Sequence, residues 1–200
     1  MKIIVVGGNG TIGKAVVNEL KTRHTVLTAG REQGDIKVDI GNPDSIEIMY
    51  QSLNDVDAVI ATVGKVQFGK FSEMTAKEYY VGLDNKLMGQ VNLVLIGKKY
   101  LKPGSSFTLT SGILNHDPIV QGSSASMVNA ALEGFVKAAA IEMPDSMRIN
   151  LVSPTVIFES MPVYQAYFRG FQPAPAAQAA LAYSKSVEGA QTGQVYRVGY

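Results

Sequence analysis

The 200-residue chain contains no cysteine and only two histidines. Without cysteine it can form no disulfide, no thiolate-ligated metal site and no cysteine nucleophile. His24 and His116 are the only sources of imidazole, so we expect no histidine-based metal site.

Excess charge and long apolar runs are also lacking. The formal net charge of +1 gives no electrostatic basis for binding nucleic acid or an acidic membrane surface. No segment approaches the ~18 apolar residues of a membrane span. The first residues lack a basic stretch and Gly7 interrupts the apolar run, so we predict no secretory signal and expect a cytoplasmic protein. A hydrophobic content of 46% and a charged content of 18% suit a single globular domain over residues 1–200.

Glycine is concentrated near the amino terminus, where residues 2–13 read KIIVVGGNGTIG. The β-branched run 3–6 predicts a buried strand, and the periodicity after the glycines is helical. Gly8, Gly10 and Gly13 fit the pattern G-x-G-x-x-G, which also occurs in plain turns. Here it stands between a strand and a helix, as a pyrophosphate-binding turn requires. The predicted dinucleotide-binding turn comprises Gly7, Asn9, Gly10, Thr11, Ile12 and Gly13.

Strand and helix patterns alternate along the rest of the chain. This alternation predicts an α/β fold, a three-layer doubly wound parallel sheet (Rossmann fold) of about seven strands. Ligands bind such sheets at the carboxyl ends of the strands. Strands are predicted near residues 3–6, 25–29, 36–38, 56–61, 106–110, 148–152 and 194–198, and helices near 11–21, 43–53, 75–99, 124–142 and 175–184.

The end of the second strand bears on which dinucleotide is bound. An NAD site normally has an acidic residue there to hold the ribose 2′-hydroxyl, but this chain has Gly30 followed by Arg31. A guanidinium can pair with a 2′-phosphate. We therefore predict NADP(H) in preference to NAD(H), the alternative being that Arg31 is a solvated loop charge.

Several segments together resemble the short-chain dehydrogenase/reductase family, and the resemblance covers nearly the whole chain. They are the glycine turn, Val38-Asp39-Ile40, Ala61-Thr62-Val63-Gly64, Leu109-Thr110-Ser111, Ala130-Ala131-Leu132-Glu133-Gly134-Phe135, the stretch from Arg148 to Pro154, and Gly193-Gln194-Val195.

The resemblance implies further cofactor contacts. Asp39 and Ile40 stand where the family contacts adenine, and Pro154 matches the proline beside the nicotinamide. Departures occur at Thr11, which replaces a glycine, and at Thr155, which replaces the glycine after that proline. Thr62, Val63 and Gly64 occupy a segment that usually reads Asn-Asn-Ala-Gly.

The resemblance also implies a Tyr and a Lys one helical turn apart, in which the lysine charge favours the ionised phenol. Ala125 and Asn129 occupy these two positions, so neither the phenol nor the ammonium is present there, although Asn129 can still bond a ribose. The place of a supporting family Asn falls on Lys86, with Asn85 one residue out of register. Of the usual four residues only Ser111 is retained.

Ser111 and Lys86 are therefore the candidate catalytic residues. Ser111 would bind the substrate oxygen, or it is simply a turn serine. Lys86 would enter the site with a depressed pKa, or its head lies in solvent. His116 is a third candidate as proton donor, the alternative being a surface residue. Residues 155–175 form the family's substrate lid, which either closes over a small apolar ligand or packs on the sheet.

Three functional interpretations follow. The protein is an NADP(H)-dependent oxidoreductase acting on a small carbonyl or alcohol through a non-standard site, or it is a catalytically silent NADP(H) sensor or regulator. A third possibility is that the nucleotide only stabilises an assembly.

Small residues crowd the helix from Ser123, which predicts either a homodimer or homotetramer contact or burial within the monomer.

Overall fold

A computed structural model describes residues 1–200. All seven strands are parallel and form one sheet in the order β3-β2-β1-β4-β5-β6-β7. The order reverses direction beside β1, so the carboxyl ends of β1 and β4 flank a crevice. The predicted doubly wound α/β fold is confirmed. The strands are β1 (Lys2–Val6), β2 (Thr25–Gly30), β3 (Ile36–Lys37), β4 (Ala58–Ala61), β5 (Ser106–Thr110), β6 (Arg148–Pro154) and β7 (Val195–Val198).

The chain forms seven α-helices, of which the longer ones cover the two faces of the sheet, and none combines the length and apolar character that crossing a bilayer requires. The last helix continues past the predicted end at residue 184 because its buried stripe extends to Val187. The helices are α1 (Thr11–Leu20), α2 (Pro43–Gln51), α3 (Ala76–Tyr80), α4 (Met88–Gly97), α5 (Ser123–Glu142), α6 (Met161–Tyr164) and α7 (Ala176–Glu188).

The single long helix predicted over residues 75–99 is wrong in one respect. A π-helical segment, Val81–Leu87, separates α3 from α4. Within it, a Cβ on Gly82 would lie 3.0 Å from Val128 Cγ2, so α5 packs closely against the wider turn. π-helical turns are frequent at functional sites. An apolar periodicity cannot reveal a local change in the width of a helix, and this segment carries Lys86.

Two apolar cores hold the three layers together. One lies under α2, α4 and α5 and includes Leu93, Phe107 and Leu132, while the other lies under α1 and α7 and includes Val16 and Tyr183. Every residue of β4 is buried, as expected for a central strand covered on both faces. The carboxyl ends of β1, β4, β5 and β6 therefore lie in a fixed row on which loops can place functional groups.

Candidate active site

The glycine turn after β1 is a tight backbone cradle. Gly7 has a φ of +83°, which favours glycine, and its N–H donates to Ala29 O at 2.8 Å. A Cβ on Gly13 would lie 2.1 Å from Gly7 O. The start of α1 therefore packs directly on the turn, and only glycine fits at residue 13.

The N-terminus of α1 suits an anion. The helix begins after Gly10 with no side-chain cap and no acidic residue in its first turn. Its free N–H groups and positive dipole end are therefore available to a diphosphate. Asn9 and Thr11 are exposed beside this end, whereas Ile12 lines the neighbouring cavity. The residues present thus fit the diphosphate of a dinucleotide.

A shallow pocket of about 180 Å³ lies at the ends of β2 and β3. Its chemistry fits an adenosine, because apolar side chains from Val38, Ile40 and Val63 stand beside polar groups. Arg31 lies at the rim and its guanidinium is 3.3 Å from Glu32 Oε1, an exposed pair of little stabilising value. The Asp39 carboxylate accepts a hydrogen bond from Gly41 N at 3.0 Å. Thr62 lies beneath the glycine turn, where its hydroxyl donates to Val6 O at 3.1 Å.

A second cavity of about 240 Å³ opens at the ends of β4, β5 and β6. It brings together the residues assigned to the nicotinamide and those assigned to catalysis. No aspartate or glutamate lines it. The lining includes Ile12, Gly64, Lys86, Ser111, Ala125, Asn129, Pro154 and Thr155.

Lys86 points into this cavity. Its Nζ donates to Asn129 Oδ1 at 2.9 Å and to Ser111 O at 3.2 Å. Asn129 Nδ2 in turn donates to Gly112 O at 3.1 Å, which fixes the amide orientation. Desolvation lowers the pKa of Lys86 from 10.5 to about 8. At neutral pH the side chain is thus mostly an ammonium that can give up its proton readily.

The ammonium and the amide have exchanged helices relative to the arrangement that the family resemblance implies. Lys86 stands at the amide position on the π-helical segment, and Asn129 stands at the lysine position on α5. Gly64 makes room for Lys86, because a Cβ at residue 64 would lie 2.6 Å from Lys86 Cγ. Its φ of +134° is a second reason why glycine is favoured there. Asn85 points elsewhere and accepts from Lys65 N at 2.8 Å.

Ser111 contributes a hydroxyl that no other group in the protein uses. The residue is 5% exposed, and its Oγ has no hydrogen-bond partner. A buried hydroxyl without a partner is costly, so a bound polar atom would compensate for it. Its backbone N–H donates to Val152 O at 3.0 Å, which holds it at the edge of the sheet.

Gln90 is a positioning residue that the sequence did not indicate. Its amide nitrogen donates to Lys86 O at 3.2 Å and to Thr110 O at 2.9 Å, and its carbonyl accepts from Thr110 N at 2.8 Å. It therefore fixes the π-helical segment to the end of β5. The side chain is fully buried on a mostly apolar helix, but that helix also carries Asn92, and the sequence does not distinguish the two amides.

His116 lies away from the cavity. Its Nε2 is 3.1 Å from Glu133 Oε1 and 3.1 Å from an Arg197 guanidinium nitrogen, and its ring lies tilted by 48° against Tyr200, with 5.9 Å between the ring centroids. This cluster links α5 to β7. The structure therefore offers His116 a structural role, because it does not bring the imidazole to Ser111 and Lys86.

Aromatic side chains cover the cavity from the segment after β6. Phe68, from the loop after β4, lies 6.2 Å from Tyr164 and 6.0 Å from Tyr167, measured between ring centroids. Phe168 is buried against Phe171 at 5.2 Å. Phe168 packs in a small apolar cluster and lines the cavity together with Tyr164, and closure of the segment over a ligand stays a prediction.

Comparison with known proteins assigns the family. The family model described as enoyl-(acyl carrier protein) reductase matches residues 9–194. The chain belongs to the short-chain dehydrogenase/reductase family. These enzymes are oxidoreductases that bind a nicotinamide cofactor. A comparison with curated proteins found no match.

Solved structures agree with this assignment. The protein lin1944 from Listeria innocua is 49% identical over 99% of both chains, with a TM-score of 0.97. A small-chain dehydrogenase is 28% identical with a TM-score of 0.85, the match covering 99% of this chain and 95% of that one. A small-chain dehydrogenase solved in complex with NADPH is 26% identical with a TM-score of 0.87, covering 99% and 96% of the two chains.

Proposed function

We propose that this short-chain dehydrogenase/reductase reduces a small carbonyl compound with NADPH, and that Lys86 replaces the missing phenol as proton donor. The cofactor, when bound, supplies the hydride. The glycine turn and the N-terminus of α1 hold the diphosphate, and Arg31 pairs with the 2′-phosphate. The structure of a 26%-identical relative with NADPH supports this choice of cofactor.

The observation that carries the proposal is the Lys86 ammonium in the cavity next to an unpartnered hydroxyl. Ser111 Oγ donates a hydrogen bond to the substrate oxygen and orients it. As the carbonyl carbon gains the hydride, the oxygen takes a proton from Lys86 Nζ, which solvent then restores. A pKa of about 8 suits this role, because general acids work best when their pKa is near the operating pH.

Steady-state oxidation of NADPH with a panel of small aldehydes and ketones tests the proposal. Lys86→Met should lower kcat by about 10²–10⁴-fold, the usual contribution of a general acid. Ser111→Ala should lower it by about tenfold or more. Ser124→Ala is the matched control, because Ser124 Oγ is also buried and unpartnered but does not line the cavity. Turnover that survives Lys86→Met would refute the proton-donor role.

The second candidate function is a silent NADP(H) sensor. It is favoured by Ala125, which lines the cavity where a phenol would stand and cannot transfer a proton. Tight NADPH binding without turnover of any carbonyl in the panel would support it. Recovery of activity in Ala125→Tyr with Asn129→Lys would show that the scaffold has only lost its proton-transfer groups.

We also propose a homodimer or homotetramer in which α5 contributes to the interface. Among the small residues of α5, Ser124 and Ala125 are buried within the monomer, whereas Ala130, Gly134 and Ala138 form an exposed stripe. Close approach of a second helix needs such a stripe. Light scattering of the wild type and of Gly134→Glu tests this, since the charge should dissociate the oligomer.

A further inference from the structure

The charge of Lys86 has no anionic partner in the protein. None of the ion pairs in the structure includes it. Its two acceptors, Asn129 Oδ1 and Ser111 O, are neutral. Ala125 provides no phenolate, and the only other ionisable side chain that lines the cavity is Tyr164. The cavity therefore contains an uncompensated positive charge.

The residues that fit the nicotinamide line the same cavity. Ile12, Gly64, Pro154 and Thr155 enclose it together with Lys86, and the whole volume is about 240 Å³. A ring held by these residues must lie within several ångströms of the ammonium. The oxidised nicotinamide ring carries a positive charge, whereas the reduced ring is neutral.

We propose that Lys86 makes this site bind the reduced cofactor more tightly than the oxidised one, so that NADP⁺ is released readily. The inference rests on the proposed cofactor but not on turnover. Two like charges several ångströms apart, at an effective dielectric constant of about 20, change a binding constant by more than tenfold. Phosphate contacts at the glycine turn and at Arg31 are common to both redox forms and do not alter the ratio.

Calorimetric titration with NADPH and with NADP⁺, without substrate, tests the inference. The measured quantity is the ratio of the Kd for NADP⁺ to the Kd for NADPH. We expect Lys86→Met to reduce this ratio by about tenfold or more, mainly by tightening NADP⁺ binding. Lys98→Met removes an exposed charge just after the C-terminal end of α4, outside the cavity, and should leave the ratio unchanged.

A second variant removes the dependence on one substitution. Asn129→Asp keeps the side-chain shape and replaces the amide oxygen that lies 2.9 Å from Lys86 Nζ with a carboxylate oxygen, which neutralises the ammonium without deleting it, although the hydrogen bond to Gly112 O is lost. It should reduce the ratio in the same direction. Thermal unfolding of each variant verifies that it is folded, and if Lys86→Met is not, Asn129→Asp alone decides.

The outcomes separate the two proposals. The inference would be overturned if the Kd ratio stayed within twofold of the wild-type value in both variants. It would also be overturned if Lys98→Met lowered the ratio by the same factor, or if neither cofactor bound. If the variants lower the Kd ratio as expected but the wild type turns over no carbonyl, the inference is supported and the reductase function is refuted. Carbonyl turnover together with an unchanged Kd ratio in the variants would support the reductase function and overturn the inference.

Discussion

Replacing Lys86 with methionine keeps most of the side-chain volume and removes its charge, and the effect on folding can be worked out from the site. Burial lowers the pKa of Lys86 from 10.5 to about 8, which means that the fold disfavours the ammonium. At ~1.4 kcal/mol per pH unit this difference corresponds to about 3 kcal/mol. Partial exposure in the open cavity reduces it to about 2 kcal/mol.

The sign of the pH dependence follows from proton binding. Between pH 8 and 10.5 the unfolded chain holds a proton that the folded chain has released, so the unfolding free energy of the wild type rises with pH in this window. Below pH 8 the destabilisation by the ammonium is fully present. Lys86→Met has no such group, so its stability relative to the wild type should be greatest at pH 7 and should fall by about 2 kcal/mol by pH 10.

Urea unfolding followed by far-ultraviolet circular dichroism at pH 7, 8.5 and 10 measures this difference. The variant also loses two hydrogen bonds, to Asn129 and to Ser111, at a cost of about 1 kcal/mol each. The ammonium donates these bonds more strongly than the neutral amine does, but that difference is already part of the folded-state pKa, so the cost that is added here does not change with pH. Burial raises the pKa of Tyr183, but its ionisation affects both proteins equally. A stability difference that is the same at all three pH values would refute the assignment of Lys86 as a desolvated ammonium.

Further predictions concern the cradle, the cofactor and the site's support. Gly13→Ala places a Cβ 2.1 Å from Gly7 O and should abolish NADPH binding in a fluorescence titration, and unchanged binding would contradict the role of the glycine turn. Arg31→Glu should weaken NADPH binding far more than NADH binding; equal losses would contradict its role as the 2′-phosphate partner. Gln90→Leu leaves three bonded groups without their partner, so the unfolding free energy should fall by about 2–4 kcal/mol in denaturant titration, and an unchanged value would contradict its positioning role.

Much of the fold was readable from local pattern. All seven strands lie near their predicted positions, and the signal is clearest for β1 and β4, because a strand buried on both faces leaves a continuous apolar signature. The glycine turn was equally readable, since its backbone geometry admits no Cβ at Gly7 or Gly13. The π-helical segment was missed, because a hydrophobic stripe does not record a local change in helix width.

The candidate catalytic cavity could be predicted only in part from the sequence. The sequence placed Lys86 and Asn129 in exchanged positions but left the direction of the lysine open, and Gln90 carried no pattern that linked it to β5. Residue 86 and residue 129 lie 43 positions apart, and their contact exists only because the π-helical segment packs on α5.

The sequence by itself determined the parallel sheet, the glycine cradle and the loss of the usual tyrosine, because each depends on side-chain type or on local backbone geometry. The tertiary structure alone decided that the Lys86 ammonium faces the cavity beside an unpartnered serine, and that His116 belongs to a different cluster. Both outcomes depend on which elements, distant in sequence, pack together. Such packing brings polar and charged groups within hydrogen-bond distance, and no local sequence pattern encodes it.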